Sequence, residues 1–207
     1  MNPPRRTAPD KPDPPAAPDP ADGGKHDAIL DAALALFAER GFFGTAVPLV
    51  AEAARVGAGT IYRYFENKEA LVNAVYRREK QRMLSALLDG IDRSAPPREQ
   101  FHQLFACAAA YTQRSPIATR FLELHHHAAY LDAESLELEN NSQRMFEQAL
   151  SDWTQQQAVK NLPPALLVAI VWGVFTGLIR AYDEQRLELD SELLGQAEQA
   201  CWEAIRR

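Results

Sequence analysis

Nowhere does this chain alternate apolar with polar residues as a half-buried β-strand would. From Lys25 onward its apolar residues recur every three or four positions, the period of an α-helix. Ile29, Ala33, Leu36 and Phe37 form the first such face, and Gly41 closes it as a C-cap glycine does. Thr45 is placed to cap a short second helix that runs to about residue 54, with Pro48 in its first turn. A tight turn and a short helix over 58–65 follow. Asn67 then caps a long helix that reaches about residue 91 and gives way to the prolines of "APPRE" (95–99). The remaining helical stretches cover about 98–114, a short piece after Pro116, 133–157 behind Asp132, 164–184, and 191–205 behind Asp190. That makes about nine helices, no internal repeat and an all-α fold.

Composition qualifies this reading at a few places. Eight of the 14 prolines fall in the first 20 residues, a segment poor in large apolar side chains. Such a segment buries too little surface to order itself, so residues 1–24 are expected to be a disordered Pro/Asp-rich arm. They hold no apolar h-region of a secretion signal. Residues 162–179 carry no charge over 18 positions, the threshold length for a membrane span. Two prolines open that run, however, and a buried or dimer-forming helix is expected in place of a membrane segment. The formal net charge of −6 is unevenly spread: −1 over residues 1–24, +2 over 25–82 and −7 over 83–207. An acidic total opposes non-specific nucleic-acid binding but leaves a local binding surface near residues 40–82 open. Cys107 and Cys201 lack a CxxC partner, as fits small buried residues in a reducing cytosol.

The glycines and threonine of "VGAGTIYRYFENK" (56–68) suggest backbone amides close to a phosphate. A nucleotide-binding loop does not fit. A Walker-type loop needs a lysine and a preceding strand that are missing here, and a dinucleotide fingerprint needs a third glycine where Tyr62 stands. Two short helices joined by a tight turn point instead to a helix-turn-helix, with one helix across the DNA backbone and the other in the major groove. Val50, Ala54, Val56, Ile61 and Tyr64 fall where the two helices bury side chains against each other. Ala51 falls where a small residue lets them cross.

In detail, "GFFGTAVPLVAEAARVGAGTIYRYFENKEAL" (41–71) resembles the DNA-binding segment of the tetracycline-repressor (TetR) family of transcriptional regulators. The resemblance is carried by Gly41, Thr45, Val47, Val50, Ala51, Ala54, Val56, Gly59, Thr60, Ile61, Tyr62, Tyr64, Phe65, Lys68, Glu69 and Leu71. Three positions depart from it. Arg55 stands where the family usually has a left-handed glycine, Gly57 where a serine often caps the recognition helix, and Ala58 where a polar or basic residue is common. The resemblance implies an N-terminal three-helix DNA-binding domain over 25–70 and a larger helical ligand-binding and dimerisation domain over 71–207. It implies that Thr45, Tyr62, Tyr64 and Lys68 hold the phosphate backbone of a double-stranded operator. Ala58, Gly59, Thr60 and Arg63 would face the major groove. Tyr64 also occupies a packing position.

The same resemblance implies a homodimer joined through the last two helices of each subunit, and a small-molecule effector. Val168, Val171, Trp172, Phe175 and Ile179 form one stripe, and Gly173 and Gly177 allow another helix, a partner's or the chain's own, to approach closely. Val168, Val171, Gly173, Phe175 and Gly177 are therefore the expected interface residues. Phe105, Tyr111, Phe121, Phe146, Trp172 and Phe175 are expected to line a pocket for a largely apolar effector, with His125 hydrogen-bonding it from the wall. Alternatively, these aromatics simply fill the core.

"FLELHHHAAYLD" (121–132) raises a metal site. On a helix His125, His126 and His127 point about 100° apart and do not converge. Glu123 and His127 supply two ligands, and no third is evident. No metal or other cofactor is expected. With no nucleophile–base pair in view, the chain is not read as an enzyme. The expected function is a cytoplasmic, sequence-specific transcriptional regulator, a repressor released from a palindromic operator by an inducer. The rivals are a helical metal-dependent hydrolase using Glu123 and residues 125–127, and a ligand-independent regulator of the same fold.

Overall fold

The computed structural model describes residues 20–127 and 129–207. Its helices are α1 (Pro20–Arg40), α2 (Val47–Ala53), α3 (Ala58–Tyr64), α4 (Lys68–Leu88), α5 (Pro97–Arg114), α6 (Pro116–Leu124), α7 (Ala133–Gln155), α8 (Pro164–Asp183) and α9 (Ser191–Ile205). The fold is all-α, with nine helices among the described residues. One isolated antiparallel bridge, Val159 to Arg206, ties the chain end to the α7–α8 loop. Residues 1–19 of the expected arm lie outside the described residues. Its last five positions belong to α1, which starts at Pro20.

The caps follow side-chain chemistry. Asn67, Asp132 and Asp190 accept hydrogen bonds from the backbone N–H groups of Ala70, Ser135 and Leu193, at 2.7, 2.8 and 2.8 Å. Gly41 ends α1 with a φ of +69°, and its N–H bonds the Phe37 carbonyl at 2.9 Å. The expected cap of α2 is displaced: Ala46 holds that position with no side-chain cap, and Thr45 turns inward. α4 stops at Leu88, short of residue 91. Two residues on, a Cβ on Gly90 would sit 2.6 Å from the Cys107 Sγ, so glycine lets the chain turn away against α5.

Two apolar clusters hold the helices. The first starts with Ile29, Phe37, Val50, Ile61, Leu71 and Val75 and runs on to Phe121 of α6 and Ile179 of α8. The second joins α5, α7, α8 and α9 through Phe101, Phe105, Leu150, Trp153, Leu167, Trp202 and Ile205. α4 crosses the expected boundary at 70/71 and packs on α1, α5, α6 and α7. It is therefore shared by the N-terminal helices and the larger helical part. α8 is long and apolar enough to cross a membrane by length and composition. One side of it, Leu167, Phe175 and Ile179, is buried in the fold, while Leu166 on the other side is 45% exposed.

Candidate nucleic-acid interface

The geometry begins with the turn between α2 and α3. Ala54 caps α2, and Arg55 follows with a φ of +55°. The Val56 N–H bonds the Ala51 carbonyl at 3.0 Å, and the Arg55 N–H bonds the Glu52 carbonyl at 3.1 Å. These two bonds make a Schellman motif, which needs a left-handed residue at the position of Arg55. Gly57 then caps α3 in an extended conformation without a side-chain bond. Val50, Ala51 and Ile61 are buried where the helices meet, as their spacing predicts.

With Ile61 turned inward, α3 presents Ala58, Gly59, Tyr62 and Arg63 outward, and Thr60 is half-buried. Tyr62 is 55% exposed. A Cβ on Gly59 would meet nothing within 4 Å, so this face admits a close-fitting surface. Tyr64 is half-buried, its ring edge-on to His26 at 5.6 Å. The Arg63 guanidinium lies 5.3 Å from the Tyr64 ring centre, and its Nη2 donates to the Tyr64 Oη at 3.4 Å.

Two expected phosphate contacts are engaged inside the protein. Thr45 is 1% exposed, and its hydroxyl faces the Gly41 and Leu36 carbonyls at 2.9 and 3.2 Å. It fixes the α1–α2 loop and does not reach the outer face. The Lys68 Nζ donates to the Phe42 and Thr45 carbonyls at 3.0 and 3.2 Å and sits 4.1 Å from the Phe42 ring centre. It clamps the loop that delivers α2. Gly44 shares this task unannounced: a Cβ there would lie 2.3 Å from the Arg40 carbonyl oxygen. The glycine pair of "GFFG" was the available sign.

The α6–α7 loop docks on the same corner. α6 ends at Leu124, so the three histidines lie in a loop and not on a helix. His125 leaves the pocket wall: its Nε2 donates to the Ala38 carbonyl at the end of α1, at 3.0 Å. His127 is buried, with Nε2 2.6 Å from the Phe121 carbonyl and Nδ1 2.7 Å from the Tyr130 Oη. A carbonyl can only accept, so Nε2 carries the proton and Nδ1 accepts from Tyr130. Burial pushes the His127 pKa down to about 4. Tyr130 stacks on Phe42 at 4.4 Å. Glu123 accepts from the Trp172 Nε1 at 2.8 Å, and burial raises its pKa. Among the described residues no three His, Cys, Asp or Glu side chains are grouped to hold a metal. The hydrolase reading is left without a ligand set.

An apolar cavity of about 60 Å³ lies between α5, α7 and α8. Phe105, Phe146, Trp172 and Phe175 line it as expected, joined by Phe101 and Trp153. Tyr111 and Phe121 are core residues elsewhere. Val168 and Val171 also face this cavity, and Phe175 is buried. These three therefore do not share a face with Gly173 and Gly177, which are exposed with nothing within 4 Å of an added Cβ. The stripe packs within the chain, and the glycines open outward. No sequence pattern pointed to the half-buried ion pair beside the cavity. There the Lys80 Nζ lies 2.7 Å from Glu139, and the Tyr76 hydroxyl donates to the same oxygen at 2.5 Å. Burial opposes ionisation of Glu139, but Lys80 and the two hydrogen bonds hold its carboxyl below the usual range.

Comparison with known proteins agrees with this geometry. Residues 29–75 match the family model for bacterial regulatory proteins of the tetR family, and residues 76–207 match the tetracyclin repressor-like C-terminal domain. The HTH-type transcriptional repressor KstR of Rhodococcus jostii is 30% identical over 181 residues, covering 80% of each chain. A putative TetR-family transcriptional regulator from Vibrio parahaemolyticus superposes with a TM-score of 0.72 at 27% identity, over 88% of this chain and 99% of that one. AibR, solved in complex with isovaleryl coenzyme A and operator DNA, has the same fold at 21% identity. Its TM-score is 0.69, over 88% of this chain and 98% of its own.

Proposed function

Since the chain belongs to the TetR family of bacterial regulatory proteins, we propose that it is a cytoplasmic, homodimeric repressor released from a palindromic operator by a small-molecule effector. The observation that carries the reading is the outward face of α3, where Ala58, Gly59, Tyr62 and Arg63 stand clear of a buried Ile61. In this reading Ala58, Gly59, Thr60 and Arg63 enter the major groove, and Tyr62 and Tyr64 meet phosphates. Thr45 and Lys68 act mainly by holding the loop in front of α2, with the third N–H of Lys68 left for a phosphate. The exposed α8 face around Gly173 and Gly177 meets its two-fold mate.

The effector enters between α5, α7 and α8, beside Phe105, Phe146, Trp172 and Phe175. Ligand sites for such molecules run to about 300 Å³ or more, so the 60 Å³ cavity has to open. Opening it shifts helices that pack on α4, and α4 carries the reading head. The effector thus selects a population whose heads no longer fit the operator. AibR, with its bound isovaleryl coenzyme A, makes acyl-coenzyme A thioesters the first probes.

The test starts by selecting duplexes from a randomised pool with the full chain. Fluorescence anisotropy on the selected duplex follows, with and without isovaleryl and longer acyl-coenzyme A. Sequence-specific binding that Tyr62→Ala and Arg63→Ala weaken supports the reading. Failure to enrich any sequence sinks it. Enrichment with no response to any thioester favours a different effector or the ligand-independent form.

A further inference from the structure

Residues 41–71 carry three cations, Arg55, Arg63 and Lys68, against three acids, Glu52, Glu66 and Glu69. A DNA-reading head must offer cations to phosphates. Lys68 is taken up by two loop carbonyls and the Phe42 ring, and Arg63 lies against Tyr64. The Arg55 side chain is exposed, and it makes no hydrogen bond or ion pair with the described residues.

Its backbone sharpens the point. With a φ of +55°, Arg55 fills the left-handed position of the Schellman turn, where an L side chain is strained and glycine is not. Strain kept where glycine would serve points to a use for the side chain. Beyond Val56, the residues Gly57, Ala58 and Gly59 offer no side-chain donor at the entry to α3. Accepting the DNA-binding reading, we infer that Arg55 is a backbone contact of the operator complex. Its guanidinium donates to a phosphate beside the start of the recognition helix and supplies what Gly57 and Ala58 lack.

Because the contact is electrostatic, it is read by salt. The experiment uses the full chain and the duplex that the wild type selects from a randomised pool, with Kd measured across a salt series. Arg55→Gly should melt at a higher temperature than the wild type yet bind about tenfold or more weakly. Its log K against log salt slope should be shallower by about 0.9 per lost phosphate, so nearly 2 for a dimer with two copies. Arg55→Lys should recover most of the slope. A purely structural arginine would raise the melting temperature on replacement and leave the slope alone. An Arg55→Gly variant with unchanged slope and equal or tighter Kd overturns the inference. If the wild type enriches no duplex, the DNA-binding reading itself falls and takes this inference with it.

Discussion

His127 is buried as a neutral imidazole between the Phe121 carbonyl and the Tyr130 hydroxyl. Its folded pKa of about 4 lies below the ordinary imidazole value of 6.5. The unfolded chain therefore binds a proton first as pH falls, and stability drops with pH through that window. Most of the contribution is present above pH 6.5, and it declines toward pH 4. Between pH 7.5 and 5 the loss is on the order of 2 kcal/mol by linkage. Urea unfolding at those two pH values should show it in the wild type, and His127→Gln should flatten the difference. Parallel losses in both proteins would mean that other groups carry the pH dependence. Glu123 works in the opposite sense, since burial raises its pKa, and comparing the two proteins cancels its effect. At the same scale, Lys68 and Thr45 have internal partners that the sequence does not disclose. Their motif positions were legible, but their partners lie 23 to 26 and 4 to 9 residues away. No local pattern in the sequence tells a carbonyl from a phosphate as the acceptor.

Between elements, Asn73 is the joint that ties α4 to the α6–α7 loop. It is 2% exposed, and its Nδ2 donates to the Glu69 and Tyr130 carbonyls, each at 2.8 Å. Its Oδ1 accepts from the Asp132 N–H at 2.9 Å. Asn73→Ala leaves the part-buried Tyr130 carbonyl and the Asp132 N–H without this partner, which costs about 1–3 kcal/mol. The midpoint of denaturant unfolding should fall accordingly, and a shift below about 0.5 kcal/mol would show that water replaces the joint. The helices themselves were legible, because period, caps and prolines are local signals. Asn67, Asp132 and Asp190 announced their helices, and Gly41 the end of another. What each helix faces was less legible. α8 is apolar around most of its circumference, so periodicity could not separate the stripe that meets the cavity from the glycines that open outward. Residues 125–127 were misplaced for a related reason: α6 ends at Leu124 with no glycine or proline to mark the stop.

At the scale of the whole molecule, charge and symmetry have to serve one purpose. Most of the acidity lies after residue 82, while residues 25–82 are slightly basic. This split lowers non-specific attraction to DNA without stripping the reading head of cations. In the proposed dimer, a head with three cations in residues 41–71 gains affinity from a second head held at a fixed spacing, about 34–36 Å for successive major grooves. The α8 face is suited to holding them. Gly173 and Gly177 are exposed, and Leu166 is 45% exposed beside them. Gly173→Glu tests this cleanly, because a Cβ at that position meets nothing within 4 Å in its own chain. Glutamate also favours an exposed helix over glycine by roughly 0.5 kcal/mol or more, so the single-chain fold should survive or gain. In a two-fold interface the charge appears twice, on facing helices. Sedimentation velocity should then show the variant as a monomer at concentrations where the wild type is a dimer. Its affinity for the selected operator should fall by far more than the loss of one contact, since each head would bind alone. A variant that stays dimeric and binds DNA normally would place the interface elsewhere.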